Sequence, residues 1–369
     1  MLGGVLNSLY RFSSVAATPM ILNISLILSL ELISHWTETP AHALGIGVSL
    51  GGILQLIWLL VACERAGIKL KLRFPRLTTR VKKLILLAAP AAIGAGVAQI
   101  NLLIDIIIAS FLPEGSVSFL YYADRVSQLP LGVVGVAVGT ALLPLLSRQL
   151  RSGDFDEVHK SQNSALRGAL LLTIPATVAL IVLAEPLIIT LFERGEFTSS
   201  DSVATANALL IYAIGLPAFV LIKVFVPAFF AREDTKTPLY ISIVSVITNI
   251  VLSLLLIGSM REMGIALATA ISAWVNTVLL FIVLRRNKYF ILDSKLIINT
   301  FKIAVSVILM AFGCYFLNLI IFANIQDLSL LLKIGSLLLI LFCCNFLYLG
   351  MIFMLKVLTI QDLKGYIQK

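Results

Sequence analysis

Long apolar runs separated by short polar breaks dominate the chain. They lie at 13–34, 43–63, 84–112, 116–150, 164–192, 205–231, 238–258, 263–284, 296–323 and 328–355. Most reach the ~20 residues that an α-helix needs to cross a hydrocarbon core about 30 Å thick. Only helices and closed barrels satisfy their own backbone in that medium. The pattern therefore predicts an all-α, polytopic transmembrane helix bundle with about ten spanning helices. The stretch 1–9 reads as the last turn of an earlier helix. Met1 is followed at once by Leu-Gly-Gly-Val-Leu, with neither the charged start nor the long apolar centre of a signal peptide.

The polar breaks orient these runs. The loop 64–83 carries Arg65, Lys69, Lys71, Arg73, Arg76, Arg80, Lys82 and Lys83 against Glu64, so it belongs on the cytoplasmic side. Alternation then places the base-poor breaks near 35–42, 113–115, 193–204, 259–262 and 324–327 outside. Arg148, Arg151, Arg285, Arg286, Lys288 and the tail with Lys356, Lys364 and Lys369 fall inside, which makes the C-terminus cytoplasmic. Composition agrees: 59% of the 369 residues are hydrophobic and 13% charged, against about 25% charged in a soluble domain. The net charge of +9 belongs to these loops and does not call for a nucleic-acid partner.

A repeat runs through the pattern. Thr18-Pro19 and Gly45-Ile46 recur as Thr237-Pro238 and Gly264-Ile265 at one shared offset. That offset covers an even number of spans, so the copies share an orientation, as in parallel-repeat transporters. The second unit begins near Val81, and the offset leaves its first-unit counterpart upstream of Met1. The chain is thus expected to lack about four helices.

Several polar residues fall inside the apolar runs, where an ionisable group is a functional candidate by default. Arg125 sits about nine residues into the helix opening at Ser116, a depth of roughly 13 Å at 1.5 Å per residue. Asp124 precedes it, and Asp105 lies on the helix before, sharing a face with Asn101. Two readings of Arg125 fit: an ion pair with Asp105 or Asp124 that fixes packing, or a cavity arginine whose planar fork takes phosphate. Asn249 and Thr269 lie on neighbouring helices and, with Asp105, supply the oxygen ligands of a sodium site. Lys223 either snorkels or faces the cavity, Arg167 snorkels, and Asn276 is a further polar candidate. Gly132, Gly135 and Gly139 smooth one helix face, and Pro144 is expected to kink it. The cysteines (Cys63, Cys314, Cys343, Cys344) lack metal-ligand spacing and read as packing residues. His35, His42 and His159 fall in predicted loops. With no Ser/His/Asp set, HExxH or P-loop, the chain is not read as an enzyme.

Gly3-Gly-Val-Leu-Asn-Ser-Leu-Tyr-Arg-Phe12, Gln99-Ile-Asn-Leu-Leu-Ile-Asp105, Gly115-Ser-Val-Ser-Phe-Leu-Tyr-Tyr-Ala-Asp-Arg125, Leu131 to Thr140 with Leu143-Pro144, Arg194-Gly-Glu-Phe-Thr198 and Lys236-Thr-Pro238 together resemble the MurJ (MviN) lipid II flippase family. That family lies within the multidrug/oligosaccharidyl-lipid/polysaccharide exporter superfamily. The resemblance implies a two-lobe exporter fold lacking its first four or so helices. Residues 1–80 would end the N-terminal lobe, 81–286 form the C-terminal six-helix lobe, and 287–369 supply two groove helices and a cytoplasmic tail. It implies alternating access in a bacterial inner membrane, moving lipid II, the undecaprenyl-diphosphate-linked peptidoglycan precursor, from inner to outer leaflet. Arg125 falls on the family's cavity arginine, with Asp124 beside it as a substrate-binding candidate. Asp105 falls where some members have a sodium-site aspartate, with Asn249 and Thr269 as looser matches. The family's other essential arginines lie on helices this sequence does not contain. An exporter of another lipid-linked saccharide, an inactive truncated remnant or a membrane scaffold are the alternatives.

Overall fold

A computed structural model of the chain describes residues 2–8, 11–68, 78–79, 81–82, 96, 99–322 and 328–357. Much of the basic loop (Lys69, Lys71, Arg73, Arg76, Arg80, Lys83), most of 84–98 and the tail lysines Lys364 and Lys369 lie outside the described residues. Among the described residues all the regular elements are helices, and the chain divides into two compact units, Met1–Lys82 and Lys83–Lys369.

The first unit holds α1 (Leu2–Ser8), α2 (Phe12–Ala16), α3 (Thr18–Ile33) and α4 (Pro40–Arg65). Pro19 and Pro40 stand at helix starts, where a missing N–H is harmless. α3 and α4 make an antiparallel hairpin zipped by small and polar residues. Ser25 Oγ donates to Gly47 O at 2.9 Å, Ser29 Oγ to Ala43 O, and Gln55 Nε2 to Thr18 O at 2.8 Å. A Cβ on Gly47 would lie 2.8 Å from that of Ser29, so glycine permits the approach. The second hairpin, described below, closes differently. There a Cβ on Gly264 would meet the Leu256 carbonyl at 2.8 Å, whereas one on Gly45 would meet nothing within 4 Å. The matching Gly-Ile dipeptides therefore play different structural roles.

The second unit is built around α10 (Ser199–Phe230). A capping box starts it: Thr198 and Asp201 bond each other's backbone N–H. α10 packs against α6 (Ser116–Pro130), α7 (Val136–Arg151), α8 (Phe155–Val182), α9 (Ala184–Phe192) and α12 (Glu262–Arg286). α5 (Gln99–Ala109) and α11 (Lys236–Met260) complete this group, with α11 and α12 as the second hairpin. α10 and α12 touch at small residues, where a Cβ on Gly215 would lie 3.0 Å from Ala270 Cα. Beside that contact Trp274 Nε1 donates to Ile214 O and Thr277 Oγ1 to Ala218 O, both at 3.0 Å.

α13 (Ser294–Ile321) and α14 (Leu330–Met354) pack on each other over a separate core that includes Ile303, Met310, Cys314, Ile340 and Cys344. Tyr348 Oη ties α14 to Leu171 O of α8 at 2.6 Å. Asn163 of α8 clasps the segment before α13. Its Nδ2 donates to Ile291 O at 2.7 Å, and its Oδ1 accepts from Asp293 N at 3.1 Å. Cys63, Cys314 and Cys344 are buried free thiols.

Eight helices among the described residues are long and apolar enough to cross a membrane, and Leu255, Phe301 and Phe346 leave large apolar surface outward. The run 116–150 is helical from Ser116 to Arg151 with a π turn at Leu131–Gly135, and the run 84–112 is described only as α5.

Three details differ from the sequence reading. The run 164–192 is two helices that break at Leu183, and α8 begins earlier, at Phe155, because Asp154 accepts a hydrogen bond from Glu157 N and caps it. An apolar run marks only the lipid-facing part of a helix, so its polar turns were missed. α7 runs on past Pro144, and a π turn follows Pro130. His42 and His159 lie on helices, near the starts of α4 and α8.

Replacing Gly215 with leucine should push α10 and α12 apart at a cost of about 1–3 kcal/mol. A lowered melting temperature of the purified protein, with Gly215→Ala intermediate, is the expected outcome; an unchanged one would contradict the close contact.

Candidate functional site

The α10–α12 contact sets the rotation of α12. Ala270, Trp274 and Thr277 face α10, so the neighbouring stripe of Thr269, Ser272, Ala273 and Asn276 faces elsewhere, following helical spacings of three and four. That stripe lines a cavity of about 440 Å³. α5 contributes Asn101 and Asp105, α6 Tyr121, Asp124 and Gln128, α10 Tyr212 and Phe219, and α11 Ser242 and Ser245. Each set repeats on one helix face. Ser245 Oγ donates to Ser272 O at 2.8 Å and holds α11 against α12.

At one edge of the cavity three expected residues meet. Asn249 Nδ2 donates to Thr269 Oγ1 at 3.0 Å, and Thr269 Oγ1 lies 3.3 Å from Asp105 Oδ2. Asn101 Nδ2 donates to the same Asp105 oxygen at 3.3 Å. The Thr269 hydroxyl has one hydrogen and also lies 3.0 Å from Ile265 O, so two acceptors share it. Asp105 Oδ1, Asn101 Oδ1 and Asn249 Oδ1 are buried without a hydrogen-bond partner among the described residues, and Asn249 is 0% exposed. Unsatisfied buried oxygens are rare because each forfeits its hydration. Here three of them, one on a carboxylate, gather at one place. Oxygens of this kind are ligands that a hard cation accepts. No group of three His, Cys, Asp or Glu side chains suited to a metal ion occurs among the described residues.

Asp124 and Arg125 part company. Asp124 lines the cavity and accepts a hydrogen bond from Gln128 Nε2 one turn on. Arg125 is exposed and does not line it; its guanidinium lies 4.8 Å from the Tyr121 ring centroid, a cation–π contact. Neither Asp105 nor Asp124 forms a salt bridge with Arg125; among the described residues the ion pair is Lys160–Glu157, on the surface of α8. The structural ion pair considered for Arg125 is therefore not formed. Lys223 is exposed, with its stem against Gly135 in the π turn, and it too stays outside the cavity. Arg167 lies in a polar cleft beside Lys160 and Lys295.

Sequence reasoning missed Tyr212, Gln128 and Ser245. Gln128 stands four residues after Asp124, a legible same-face signal. Tyr212 and Ser245 sit in strongly apolar runs and carried none.

The family model described as "Lipid II flippase MurJ" matches residues 1–335. The chain is 46% identical over 319 residues to a "Probable lipid II flippase MurJ" of Rhizobium meliloti (strain 1021), covering 85% of this chain and 59% of that protein. It is 40% identical over 281 residues to the protein so described from Rickettsia prowazekii (strain Madrid E), covering 76% and 55%. It thus spans less than two thirds of the length of these relatives. Among solved structures it is similar to "Lipid II flippase MurJ, inward closed conformation", with a TM-score of 0.72 and 28% identity over 93% of this chain and 69% of that one.

A double-mutant cycle on Asn249→Ala and Thr269→Val should show coupling of about 0.5–2 kcal/mol in unfolding free energy. Strict additivity would mean that the two side chains do not share the hydrogen bond that joins α11 to α12.

Proposed function

The chain belongs to the lipid II flippase MurJ family, and from that premise we propose that its protein moves lipid II from the inner to the outer leaflet by alternating access, in a bacterial inner membrane with its C-terminus cytoplasmic. No bond is made or broken in this reading. The observation that carries it at the level of residues is the exposed Arg125, which forms no salt bridge among the described residues. A diphosphate needs a permanent cation with a planar donor fork. Arg125 is exposed, rests on Tyr121 and forms no direct ion pair among the described residues, although the charge of neighbouring Asp124 acts on it, so its donors are available to an anion. Asp124, one residue away, lies on the cavity face. It repels phosphate and so limits the anion to the arginine's side of α6.

The same reading assigns sodium to Asp105, Asn249 and Thr269. Their fit rests on the orphaned oxygens of Asp105, Asn249 and Asn101. A bound sodium ion would supply the positive charge that balances Asp105 within the bundle. Thr269, bridging Asp105 and Asn249, links α5, α11 and α12. Protein groups that must close around a cation thus come from three helices, which suits coupling of an ion gradient to a conformational cycle.

Replacing Arg125 with alanine should abolish rescue of a strain depleted of its own lipid II flippase, at matched membrane levels, with Arg125→Lys partly active. Full rescue by the alanine variant removes Arg125 from the mechanism. Binding assays with other polyprenyl-diphosphate saccharides separate this substrate from a related one. The melting temperature of the purified protein should rise in sodium chloride relative to choline chloride, by the equivalent of about 1.4 kcal/mol at ten times the Kd. The rise should vanish in Asp105→Asn; an identical rise in that variant rules out the assigned site.

A further inference from the structure

The cavity beside Asp105 is far larger than a bare ion requires. At about 440 Å³ it falls within the roughly 300–1,000 Å³ of small-molecule sites, whereas one water occupies about 30 Å³ of liquid. Among the described residues its ionisable lining is Asp105 and Asp124, with the phenols of Tyr121 and Tyr212, and includes no lysine, arginine or histidine; Arg125 stays outside it, resting on Tyr121. Much of the remaining wall is apolar, including Leu102, Ile106, Leu216 and Phe219. Such walls lower the local dielectric and strengthen the field of the two acids.

A second observation points to a ligand. Asn276 lines the cavity, is only 8% exposed, and its side-chain amide makes no hydrogen bond among the described residues. Polar residues near it on α12 are otherwise engaged: Thr277 Oγ1 bonds Ala218 O, and Ser272 Oγ bonds Thr269 O. One oxygen of Asp124 accepts from Gln128, and the other has no partner among the described residues. A buried amide and a half-satisfied carboxylate thus border one apolar space.

We infer that this cavity binds a lipophilic monovalent cation, an onium group within an apolar body, with Asp124 as its counter-ion and Asn276 as an added polar contact. A ligand held there sits next to Asp105. The competition described below, though not the binding itself, rests on the proposed sodium site. The diphosphate of the proposed substrate is excluded by the same two acids.

Tetraphenylphosphonium and tetraphenylborate have nearly the same size and shape and opposite charge, so equilibrium dialysis of each against the purified full chain in neutral detergent tests the inference. Saturable, one-to-one binding of the phosphonium, at least about tenfold tighter than the borate, is expected. Asp124→Asn should weaken phosphonium binding about tenfold, while Asp124→Glu, which keeps the charge, should retain it. Asn276→Phe should reduce binding by occupying the space. Equal uptake of both ions, or phosphonium binding indifferent to Asp124→Asn in a variant that still melts cooperatively, overturns the inference. Competition by sodium over choline is expected from the shared neighbourhood of Asp105. Phosphonium binding that depends on Asp124 yet ignores sodium upholds the cavity and counts against the sodium assignment. Sodium-dependent stabilisation with no phosphonium binding does the reverse.

Discussion

At Gly215 the backbone of α10 comes close enough to Ala270 that a single methyl group would crowd it. Lipid tails are as apolar as leucine, so burial gives helices in a membrane little reason to associate. Close packing and interhelical hydrogen bonds take that role. The Gly215–Ala270 approach, with the Trp274 and Thr277 bonds beside it, fixes the depth of α12 and its rotation. Rotation then decides chemistry. Turned otherwise, Thr269 would leave Asp105 and Asn249, and Asn276 would leave the cavity. The polar cluster is thus a consequence of a contact between residues that have almost no chemistry of their own.

Charge in the second unit is sorted by helix face. On α6 the neighbours Asp124 and Arg125 serve different surroundings, one on the wall of an acidic cavity and the other exposed on Tyr121. Neighbours on a helix differ by roughly 100° in direction, enough to keep the two from a direct ion pair while their charges still act on each other.

The helical class and most element positions were legible because the bilayer imposes length and polarity on every spanning run. Ionisable residues stood out for the same reason: Asp105, Asp124 and Arg125 are conspicuous against apolar surroundings. The meeting of Asp105, Asn249 and Thr269 could be suggested from helix adjacency, yet their bonding depends on rotations that spacing alone does not fix. Helix ends were the weakest part. Asp154 caps α8 well before its apolar run begins, and hydropathy is silent on capping. Asn163, whose amide grips the Ile291 and Asp293 backbone, looked like any polar residue near a helix start. Its partners are remote in sequence.

The π turn at Leu131–Gly135 acts as a phase shifter. A π turn takes up about one extra residue relative to an α turn. Without it the inward stripe of α6, through Ser116, Leu120, Ala123 and Ser127, would drift away from that of α7 by roughly 100°. With the extra residue absorbed, Leu142 and Leu146, both buried, fall back into line with that stripe. One long rod thus keeps a single inward seam along its whole length while its two halves carry sequences written in different frames. Insertions and deletions in this rod are therefore not equivalent along its length: at the π turn one residue can be lost or gained by changing the winding, and anywhere else it would turn half of the rod's surface to the wrong neighbour.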